Sequence, residues 1–291
     1  MARAVHHLTN ADLHSHSTLS DGTLAPAALA ARALAGGVEL WSLTDHDELS
    51  GQQQAREAAL ALGMDYLCGV EISVSFGGQT VHVLGLGVDP DDGPLNAGLA
   101  ATRDGRSERA RRMAEGLARA GIHGAYEGAL RHAGNPELIA RTHFGRWLVE
   151  QGHCADNWEV FRRYLVEGKP GYVAHRWARL AEALRWIHGA GGLAVIAHPA
   201  RYRFTPTEEF ALLGEFKTLG GQGLEVTVGA HSESERIAYA DLALEFGLLA
   251  SRGSDFHDPV ESRTALGALP DLPGRLTPVW MALQHRIHRA R

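Results

Sequence analysis

Histidines and carboxylates recur along this chain at spacings that metal sites use. The first group is the sequence D-L-H-S-H at residues 12–16, and Asp21 follows with a glycine beside it. On an extended backbone the side chains of His14 and His16 point to the same side, so both rings can bind one ion. Asp21 can reach a second ion. Taken alone, this stretch could equally be a polar turn after a strand.

The same residue types follow the later apolar segments. Strands are predicted at 5–14, 39–44, 64–70, 193–196, 224–228 and 248–251. Helical segments separate most of them, which predicts βα units around a parallel sheet or barrel whose strand ends form one face. The metal-ligand candidates on this face are His14, His16, Asp21, His46, Glu71, His82, His198, Asp255 and His257.

His82 joins this set through a predicted β-hairpin. Gly77 and Gly78 separate two alternating apolar runs, and a turn centred on them places Ser73 opposite His82. Because Glu71 and Ser73 share a face, His82 returns beside Glu71. The alternative is an exposed hairpin histidine.

The donor types indicate which ions are bound. Mixed imidazole and carboxylate ligands suit manganese, zinc or iron better than calcium or magnesium alone. With about three protein ligands for each catalytic ion, the candidates predict two or three ions, and Glu71 is the natural bridge between them. We expect Mn²⁺, with Zn²⁺ or Fe²⁺ as alternatives.

Composition excludes several other classes of protein. The formal net charge of the 291 residues is −6, which does not suggest a protein that binds duplex nucleic acid through phosphate contacts. The two cysteines, Cys68 and Cys154, show no C-x-x-C spacing, so neither a disulfide framework nor a zinc ribbon is indicated. No apolar run approaches the roughly 20 residues of a membrane span, and the first residues lack a signal-peptide core. A cytoplasmic location without membrane contact is therefore expected.

An all-helical segment interrupts the alternation. Helices are predicted over 95–120, 126–132, 136–150 and 158–166. The predicted domains are a catalytic α/β domain, residues 1–94 and 170–291, and a helical insertion, residues 95–169, that contributes to substrate binding.

Together these motifs resemble the polymerase and histidinol phosphatase (PHP) family of metal-dependent phosphoesterases. The resemblance rests on D-L-H-S-H with Asp21, T-D-H-D around His46, G-V-E at Glu71, A-H-P at His198 and G-S-D-F-H at 253–257. It implies an α/β fold, a distorted, TIM-like (β/α)7 barrel with the helical insertion. The insertion motifs at 134–144 and 168–173 are similar to those of the subgroup that acts on nucleotides.

The resemblance also implies how the ligands divide among three ions. The first ion would be held by His14, His16, Glu71 and Asp255, the second by Glu71, His82 and His198, and the third by Asp21, His46 and His257. Such ions lower the pKa of a water that then attacks phosphorus, and they neutralise phosphate oxygens as charge builds on the leaving oxygen.

Two residues outside the ligand set are candidates for catalytic roles. Asp45, like Asp12, lies next to ligand histidines in sequence and is expected to fix the tautomer of an imidazole. His231 follows a strand at the active face and is a candidate acid for the leaving group.

A substrate with two phosphates needs positive charge beyond the ions, and arginine binds phosphate through two parallel hydrogen bonds. The predicted substrate contacts are Asp21, Arg103, Arg106, Asn135, Arg141, His143 and Arg176. His143 is also a rival of His82 as a metal ligand. The remaining arginines of the long helix, including Arg109, are interpreted as a solvated face.

The resemblance implies a phosphatase that removes the 3′-phosphate of nucleoside 3′,5′-bisphosphates. The expected partner is thus a small nucleotide. The first alternative is a 5′–3′ exoribonuclease on short 5′-phosphorylated RNA. A histidinol phosphate phosphatase is disfavoured by the arginine-rich insertion, and a non-catalytic PHP module is disfavoured by the complete ligand set.

Overall fold

The computed structural model describes residues 9–291, so residues 5–8 of the first predicted strand lie outside the described part. The strands are β1 (Ala11–Asp12), β2 (Leu40–Trp41), β3 (Asp65–Tyr66), β4 (Gly69–Phe76), β5 (Gln79–Leu86), β6 (Ala178–Arg179), β7 (Leu193–Ile196), β8 (Gly223–Val228) and β9 (Leu249–Gly253). The helices are α1 (Pro26–Ala35), α2 (Gln52–Ala61), α3 (Gly93–Arg103), α4 (Arg106–Arg119), α5 (Ala125–His132), α6 (Arg141–Glu150), α7 (Asn157–Val160), α8 (Leu180–Gly189), α9 (Pro206–Thr218), α10 (Glu233–Glu245) and α11 (Val279–Ala282).

The strands form two sheets. The first has the order β1-β2-β3 and is parallel, and the second has the order β6-β4-β5-β7-β8-β9 and is mixed, because β5 is antiparallel to both β4 and β7. Isolated backbone bridges, Ser15 with Phe256 and His46 with Glu71, connect the two sheets. The predicted α/β class is confirmed, but residues 9–291 form no closed sheet. A hairpin takes the place of one βα crossover, and four of the strands are only two residues long.

The hairpin has the predicted register. Ser73 pairs with His82 across β4 and β5. Gly77 and Gly78 form the turn with φ of 54° and 78°, a left-handed conformation that glycine adopts without a steric penalty. Because of this register, His82 lies beside Glu71.

Two predicted elements are divided in the structure. The long helix predicted over 95–120 is broken at Gly105, whose φ is 85°, so α3 and α4 are separate helices. The strand predicted over 64–70 is divided as well, because β3 pairs with β2 in the first sheet while β4 begins the second.

The break at Gly105 coincides with a change of hydrophobic core. Leu95 and Leu99 of α3 pack in the main core, with the strands of the second sheet. Buried residues from Ala110 to Leu165 form a separate core among α4, α5, α6 and α7. The helical region after Gly105 is therefore packed around its own apolar side chains. None of the helices in residues 9–291 is both long and apolar enough to span a bilayer.

Candidate metal centre and arginine cavity

The structure brings all nine predicted ligands together at one end of the two sheets. The loop after β1 carries His14, His16 and Asp21, and the segment after β9 carries Asp255 and His257. The remaining four are His46, Glu71, His82 and His198, which lie after β2, in β4, in β5 and after β7. We refer to these nine residues as the metal centre.

Glu71 lies in the middle of the metal centre and is fully buried. Its Oε1 is 2.9 Å from His82 Nδ1 and 2.9 Å from His198 Nε2. Its Oε2 lies 3.3, 3.2 and 2.9 Å from ring nitrogens of His14, His16 and His46. Both carboxylate oxygens thus face imidazole nitrogens, as a bridging ligand requires.

Two further carboxylates complete the donor set. Asp255 Oδ1 is 3.4 Å from His14 Nε2 and 3.3 Å from His16 Nε2. Asp21 Oδ1 is 3.3 Å from His257 Nε2 and 3.9 Å from His16 Nδ1. The two ring nitrogens of His16 therefore face different carboxylates, so its ring stands between the first and third predicted ion positions.

The donor atoms fit divalent ions. Several of them are buried and have no hydrogen-bond partner among residues 9–291: His14 Nε2, His16 Nδ1 and Nε2, Asp21 Oδ1, His46 Nδ1, Glu71 Oε2 and Asp255 Oδ1. A buried polar atom without a partner costs about 1–3 kcal/mol, and so many in one place call for ligands they can share. Imidazole and carboxylate donors in these groups suit Mn, Fe or Zn.

Without bound ions, burial and neighbouring charges shift the pKa values of several residues of the metal centre. Burial opposes ionisation of Glu71, but the surrounding histidines hold its pKa well below the usual range. Burial lowers the pKa of His16, but the carboxylates of Asp255 and Glu71, 3.3 and 3.2 Å from its Nε2, outweigh this effect and raise the pKa to about 10. Burial and the nearby Arg201 lower the pKa of His198 to about 3. His198 is thus neutral, the state that binds metal.

Glu225 was missed by the sequence analysis. Both of its carboxylate oxygens are 3.1 Å from His14 Nδ1, and Oε2 accepts a 2.7 Å hydrogen bond from the backbone N–H of His198. A carboxylate behind a ligand histidine fixes the ring and its tautomer. The only signal in the sequence is one glutamate inside the apolar strand L-E-V-T-V of β8.

Among residues 9–291, Asp45 makes no hydrogen bond or ion pair with an imidazole, contrary to the prediction. Its carboxylate accepts hydrogen bonds from Ser17 N–H at 2.7 Å, Ser17 Oγ at 2.6 Å and Ser20 Oγ at 2.5 Å. Asp45 therefore holds the loop between the ligands His16 and Asp21. Asp12 likewise bonds to backbone, accepting from Ser254 N–H at 2.8 Å.

His231 is not brought to the metal centre. Its Nδ1 donates to the carbonyl of Val226 at 3.0 Å, and its ring stacks on Tyr239 with 5.2 Å between centroids. Burial lowers its pKa. These contacts place His231 against α10, so the predicted role as leaving-group acid finds no support.

Strained backbone is concentrated at the site. Among residues 9–291, the non-glycine residues with positive φ are Asp47 (51°), His198 (27°) and Asp255 (56°). Two of them, His198 and Asp255, belong to the metal centre. Asp47 accepts hydrogen bonds from Ser73 N–H at 2.8 Å and pairs with Arg106. Such strain persists only where surrounding contacts enforce it.

A cavity lined by arginines opens onto the metal centre, and we call it the arginine cavity. Its wall contains Asp21, His46, His82, His198, Asp255 and His257 together with Arg106, Arg109, Arg141 and Arg201. Arg106 and Arg141 were predicted as substrate contacts, Arg109 was interpreted as solvated, and Arg201 was missed. The signal for Arg201 is its position three residues after His198 in the short turn Pro199–Arg201.

The positive charge of this cavity is only partly compensated. Arg106 pairs with Asp47, and Arg201 pairs with Asp255. Arg141 has no ion pair among residues 9–291, and its guanidinium carbon lies 5.6 Å from the centre of the Phe161 ring. Burial, followed by Arg141 and Arg106, lowers the pKa of Arg109 to about 9. An anion in the cavity would remove this repulsion.

Two other predicted arginines lie outside the wall of the arginine cavity. Arg103 donates to the carbonyl of Asp47 at 2.5 Å and lies 3.5 Å from Glu48. It therefore holds the backbone behind the cavity. Arg176 is exposed to solvent.

Asn135 and His143 have local structural roles. Asn135 Oδ1 accepts a 3.0 Å hydrogen bond from Glu137 N–H and caps a short 3₁₀ turn. His143 is buried, and its Nδ1 accepts a 3.0 Å hydrogen bond from Ala140 N–H at the start of α6. Neither lines the arginine cavity, and His143 does not displace His82 from the ligand set.

Cationic side chains beside a donor set for several ions suit phosphate esters, because ions and guanidinium groups both neutralise phosphate oxygens. The fold and the site thus define a metal-dependent phosphoesterase. The profile of the PHP domain matches residues 12–172. The chain belongs to the PHP domain family, which confirms the resemblance inferred from its motifs.

Two relatives and two solved structures are similar over nearly the whole chain. The chain is 49% identical to a 3′,5′-nucleoside bisphosphate phosphatase from Chromobacterium violaceum, over 97% of this chain and 99% of the relative. It is 39% identical to a 5′-3′ exoribonuclease from Haemophilus influenzae, over 92% of this chain and 97% of the relative. The structure of an amidohydrolase from Chromobacterium violaceum with bound sulfate superposes with a TM-score of 0.94, at 49% identity, covering 97% of this chain and 98% of the other. The structure of a metal-dependent phosphoesterase from Bifidobacterium adolescentis superposes with a TM-score of 0.79, at 27% identity, covering 96% of this chain and 96% of the other.

Proposed function

We propose that this protein is a phosphoric monoester hydrolase that removes the 3′-phosphate from nucleoside 3′,5′-bisphosphates. The observation that carries this proposal is the direct opening of the arginine cavity onto the metal centre. The phosphatase relative from Chromobacterium violaceum acts on such substrates according to its name. A chain 49% identical to it over nearly its full length fits the same activity.

The metal centre would hold two or three divalent ions, with Mn²⁺ as the proposed species. Glu71 would serve more than one ion, since its two carboxylate oxygens face ring nitrogens of different histidines. When bound, such ions lower the pKa of water for attack on phosphorus and offset the charge of phosphate oxygens. Glu225 orients His14 behind the site, and Asp45 holds the loop that presents Asp21.

The second phosphate of the substrate would be bound by protein. Arg141 has no ion pair among residues 9–291, and burial, followed by the charges of Arg141 and Arg106, lowers the pKa of Arg109. A phosphate between these side chains accepts charged hydrogen bonds and relieves their mutual repulsion. The helical insertion, predicted at 95–169, would thus supply the binding of the 5′-phosphate through α4 and α6. The two cysteines are free, as is usual in the cytoplasm, which fits a nucleotide-processing enzyme there.

The test is the Arg141→Ala variant, assayed with a nucleoside 3′,5′-bisphosphate and with a nucleoside 3′-monophosphate. A charged hydrogen bond contributes about 1.5–3 kcal/mol, so we expect kcat/KM for the bisphosphate to fall roughly 10- to 150-fold. The kcat/KM for the 3′-monophosphate should change much less, because this substrate has no 5′-phosphate for Arg141 to bind. Arg131→Ala, an exposed position on α5, is the charge-matched control. Equal losses on both substrates would contradict the assigned role of Arg141.

A 5′–3′ exoribonuclease is the second candidate, favoured by the Haemophilus influenzae relative that has this name. The same metal centre could serve both activities, because each breaks a bond between phosphorus and a 3′-oxygen. Histidinol phosphate is disfavoured, since its ammonium group would be repelled by the cations of the arginine cavity.

A further inference from the structure

The ligands proposed for the third ion, Asp21, His46 and His257, lie on segments that the helices α4 and α6 contact. Thr142, at the start of α6, donates a 2.9 Å hydrogen bond from its Oγ1 to Oδ2 of Asp21. The other carboxylate oxygen, Oδ1, is left facing His257 Nε2 at 3.3 Å. Thr142 therefore fixes which oxygen of Asp21 is turned towards the ion position.

The segments that carry the other two ligands of this ion have similar contacts. Asp47 directly follows the histidine ligand after β2 and pairs with Arg106 of α4. Glu261 lies shortly after His257, and both of its carboxylate oxygens accept from Nε of Arg146 of α6 at 3.2 Å. Each segment that supplies a ligand to the third ion is thus bonded to α4 or α6.

The loop that presents Asp21 also packs closely against the backbone that leads into α6. A β-carbon at Gly134 would lie 2.2 Å from the carbonyl oxygen of Thr18. Backbone atoms cannot give way as a flexible side chain can. A shift of residues 134–142 should therefore move the loop, and Asp21 with it.

Ligands of the other two ions are held by a different part of the molecule. Glu225 of β8 bonds to His14 and to the backbone of His198, and Arg201 pairs with Asp255. Strand β8 packs in the main core, whereas α4 and α6 share the separate helical core. Movement of α4 and α6 should thus affect the third ion more than the first two.

The same two helices present cations to the arginine cavity. Arg106 and Arg109 lie in α4, and Arg141 directly precedes Thr142 at the start of α6. A phosphate bound to Arg141 would restrain the first turn of α6 and therefore the hydroxyl of Thr142. An ion bound by Asp21 would restrain the same hydroxyl from the other side.

We propose that Thr142 is a positioning residue that couples the arginine cavity to the third ion, so that a nucleotide 5′-phosphate and Mn²⁺ strengthen each other's binding. This proposal rests on the proposed function, because it uses the phosphate bound at Arg141. The coupling is reciprocal, since the factor by which the phosphate raises the affinity for the ion equals the factor in the other direction. The first two ions should bind without nucleotide, and the third should bind tightly only with it.

The experiment titrates the ion-free protein with Mn²⁺ in the presence and absence of adenosine 5′-monophosphate, and electron paramagnetic resonance measures the free Mn²⁺. This nucleotide carries the 5′-phosphate for the arginine cavity but has no 3′-phosphate to bind the ions directly. A titration without protein corrects for Mn²⁺ bound by the nucleotide itself. In the wild type we expect the nucleotide to strengthen the weakest Mn²⁺ site about 5- to 150-fold, the usual range for coupled sites.

Variants at Thr142 test the hydroxyl group. Thr142→Val keeps the shape of the side chain and removes the donor, so it should weaken the same Mn²⁺ site roughly 10- to 100-fold and reduce the effect of the nucleotide. Thr142→Ser retains the donor and should behave like the wild type. Thr207→Val, at an exposed position of α9, is the matched control. Arg141→Ala should remove the effect of the nucleotide on Mn²⁺ binding.

The proposal would be overturned if bound adenosine 5′-monophosphate left the Mn²⁺ affinity of the wild type unchanged. That measurement needs no variant, so it decides the question even if Thr142→Val fails to fold. Wild-type Mn²⁺ affinity in Thr142→Val would also overturn the proposal. So would equal losses in Thr142→Val and Thr142→Ser, because the serine variant retains the hydroxyl.

Calorimetric binding of adenosine 5′-monophosphate separates this proposal from the proposed function. If the nucleotide binds through Arg141 without changing the Mn²⁺ affinity, the coupling is rejected and the proposed function stands. If Arg141→Ala binds the nucleotide as tightly as the wild type, the phosphate site of the proposed function is rejected, and the coupling is rejected with it.

Discussion

The carboxylate of Glu71 faces five histidine rings, and this arrangement makes it hard to replace. Each oxygen has a different set of imidazole neighbours at 2.9–3.3 Å. A glutamine side chain has one oxygen and one NH₂ group. It can bind a metal ion only through that oxygen, so it cannot place a separate oxygen on each of two ions. Glu71 is fully buried and its carboxylate lies against imidazole nitrogens, so its role is electrostatic.

Glu71→Gln should therefore remove activity and leave the fold. We expect kcat to fall by at least about 10²- to 10³-fold, the size of effect seen when a preorganised charge is removed from an active site. The variant should still fold, with a lower midpoint of thermal unfolding in the ion-free protein, because Glu71 there offsets the charge of protonated histidines such as His16. Phosphate release and a thermal scan measure both quantities, with Glu215→Gln on the exposed side of α9 as the control. Turnover near the wild-type rate would show that the metal centre is not the catalytic site.

Glu225→Gln tests the residue behind the ligands. Glutamine can accept one hydrogen bond where Glu225 now serves both His14 and the backbone of His198. Because partners of this kind are worth about 10- to 100-fold in metal affinity or activity, we expect Mn²⁺ affinity to fall within that range. Titration of the ion-free protein with Mn²⁺ gives the readout. An unchanged affinity together with reduced stability would make Glu225 a purely structural residue.

At the scale of elements, α4 is packed against the segment that returns the chain to the main domain. A β-carbon at Gly116 would lie 1.9 Å from the carbonyl oxygen of Pro170. Backbone atoms cannot move aside as a flexible side chain can. The contact fixes α4, and with it the arginines that α4 presents to the arginine cavity.

We expect Gly116→Ala to destabilise the protein by about 1–3 kcal/mol, as overpacking does, despite the higher helix propensity of alanine. Gly214→Ala in α9 is the matched control, because nothing lies within 4 Å of its β-carbon position. That variant should gain roughly 0.4–1 kcal/mol. Chemical denaturation measures both changes. If Gly116→Ala were as stable as its control, the close contact of α4 with Pro170 would not be rigid.

The elements also show what the sequence could predict. Each ligand follows or lies in an apolar strand, and strand ends meet on one face, so their convergence was predictable. His82 was predictable because two glycines fix a hairpin register. Glu225 and Arg201 each leave only a weak signal in the sequence, because the partners that define their roles, His14 and Asp255, lie on other elements that come close only in the folded chain. The break at Gly105 was also hard to predict, because α3 and α4 pack in different hydrophobic cores that exist only in the folded protein.

At the scale of the whole molecule, ions should stabilise the folded chain. Ions that bind only the folded state add about 2.7 kcal/mol when their concentration is 100 times the dissociation constant. We expect more than one ion per chain by elemental analysis of protein purified without chelator. Treatment with a chelator should lower the midpoint of thermal unfolding. A metal content near zero with full activity would contradict the proposed centre.

Ion binding should also release protons. In the ion-free protein the pKa of His16 is about 10, so the ring carries a proton at pH 7.5 and must lose it to bind an ion. Mn²⁺ affinity should therefore weaken as the pH falls. Calorimetric titrations in two buffers with different ionisation enthalpies count the protons, and we expect at least one per chain at pH 7.5. Near pH 10 the number should drop, which provides an internal control.

The ligands extend from His14 to His257, and this distance along the chain has a consequence during protein synthesis. A nascent chain exposes the His14 and His16 pair long before Asp255 and His257 are made. Such a pair alone binds Cu²⁺ or Zn²⁺ more tightly than Mn²⁺, and it has no geometry with which to choose among them. The order in which ribosomes deliver the donors thus favours loading after release, when β9 has joined the sheet and the completed set can select its ion.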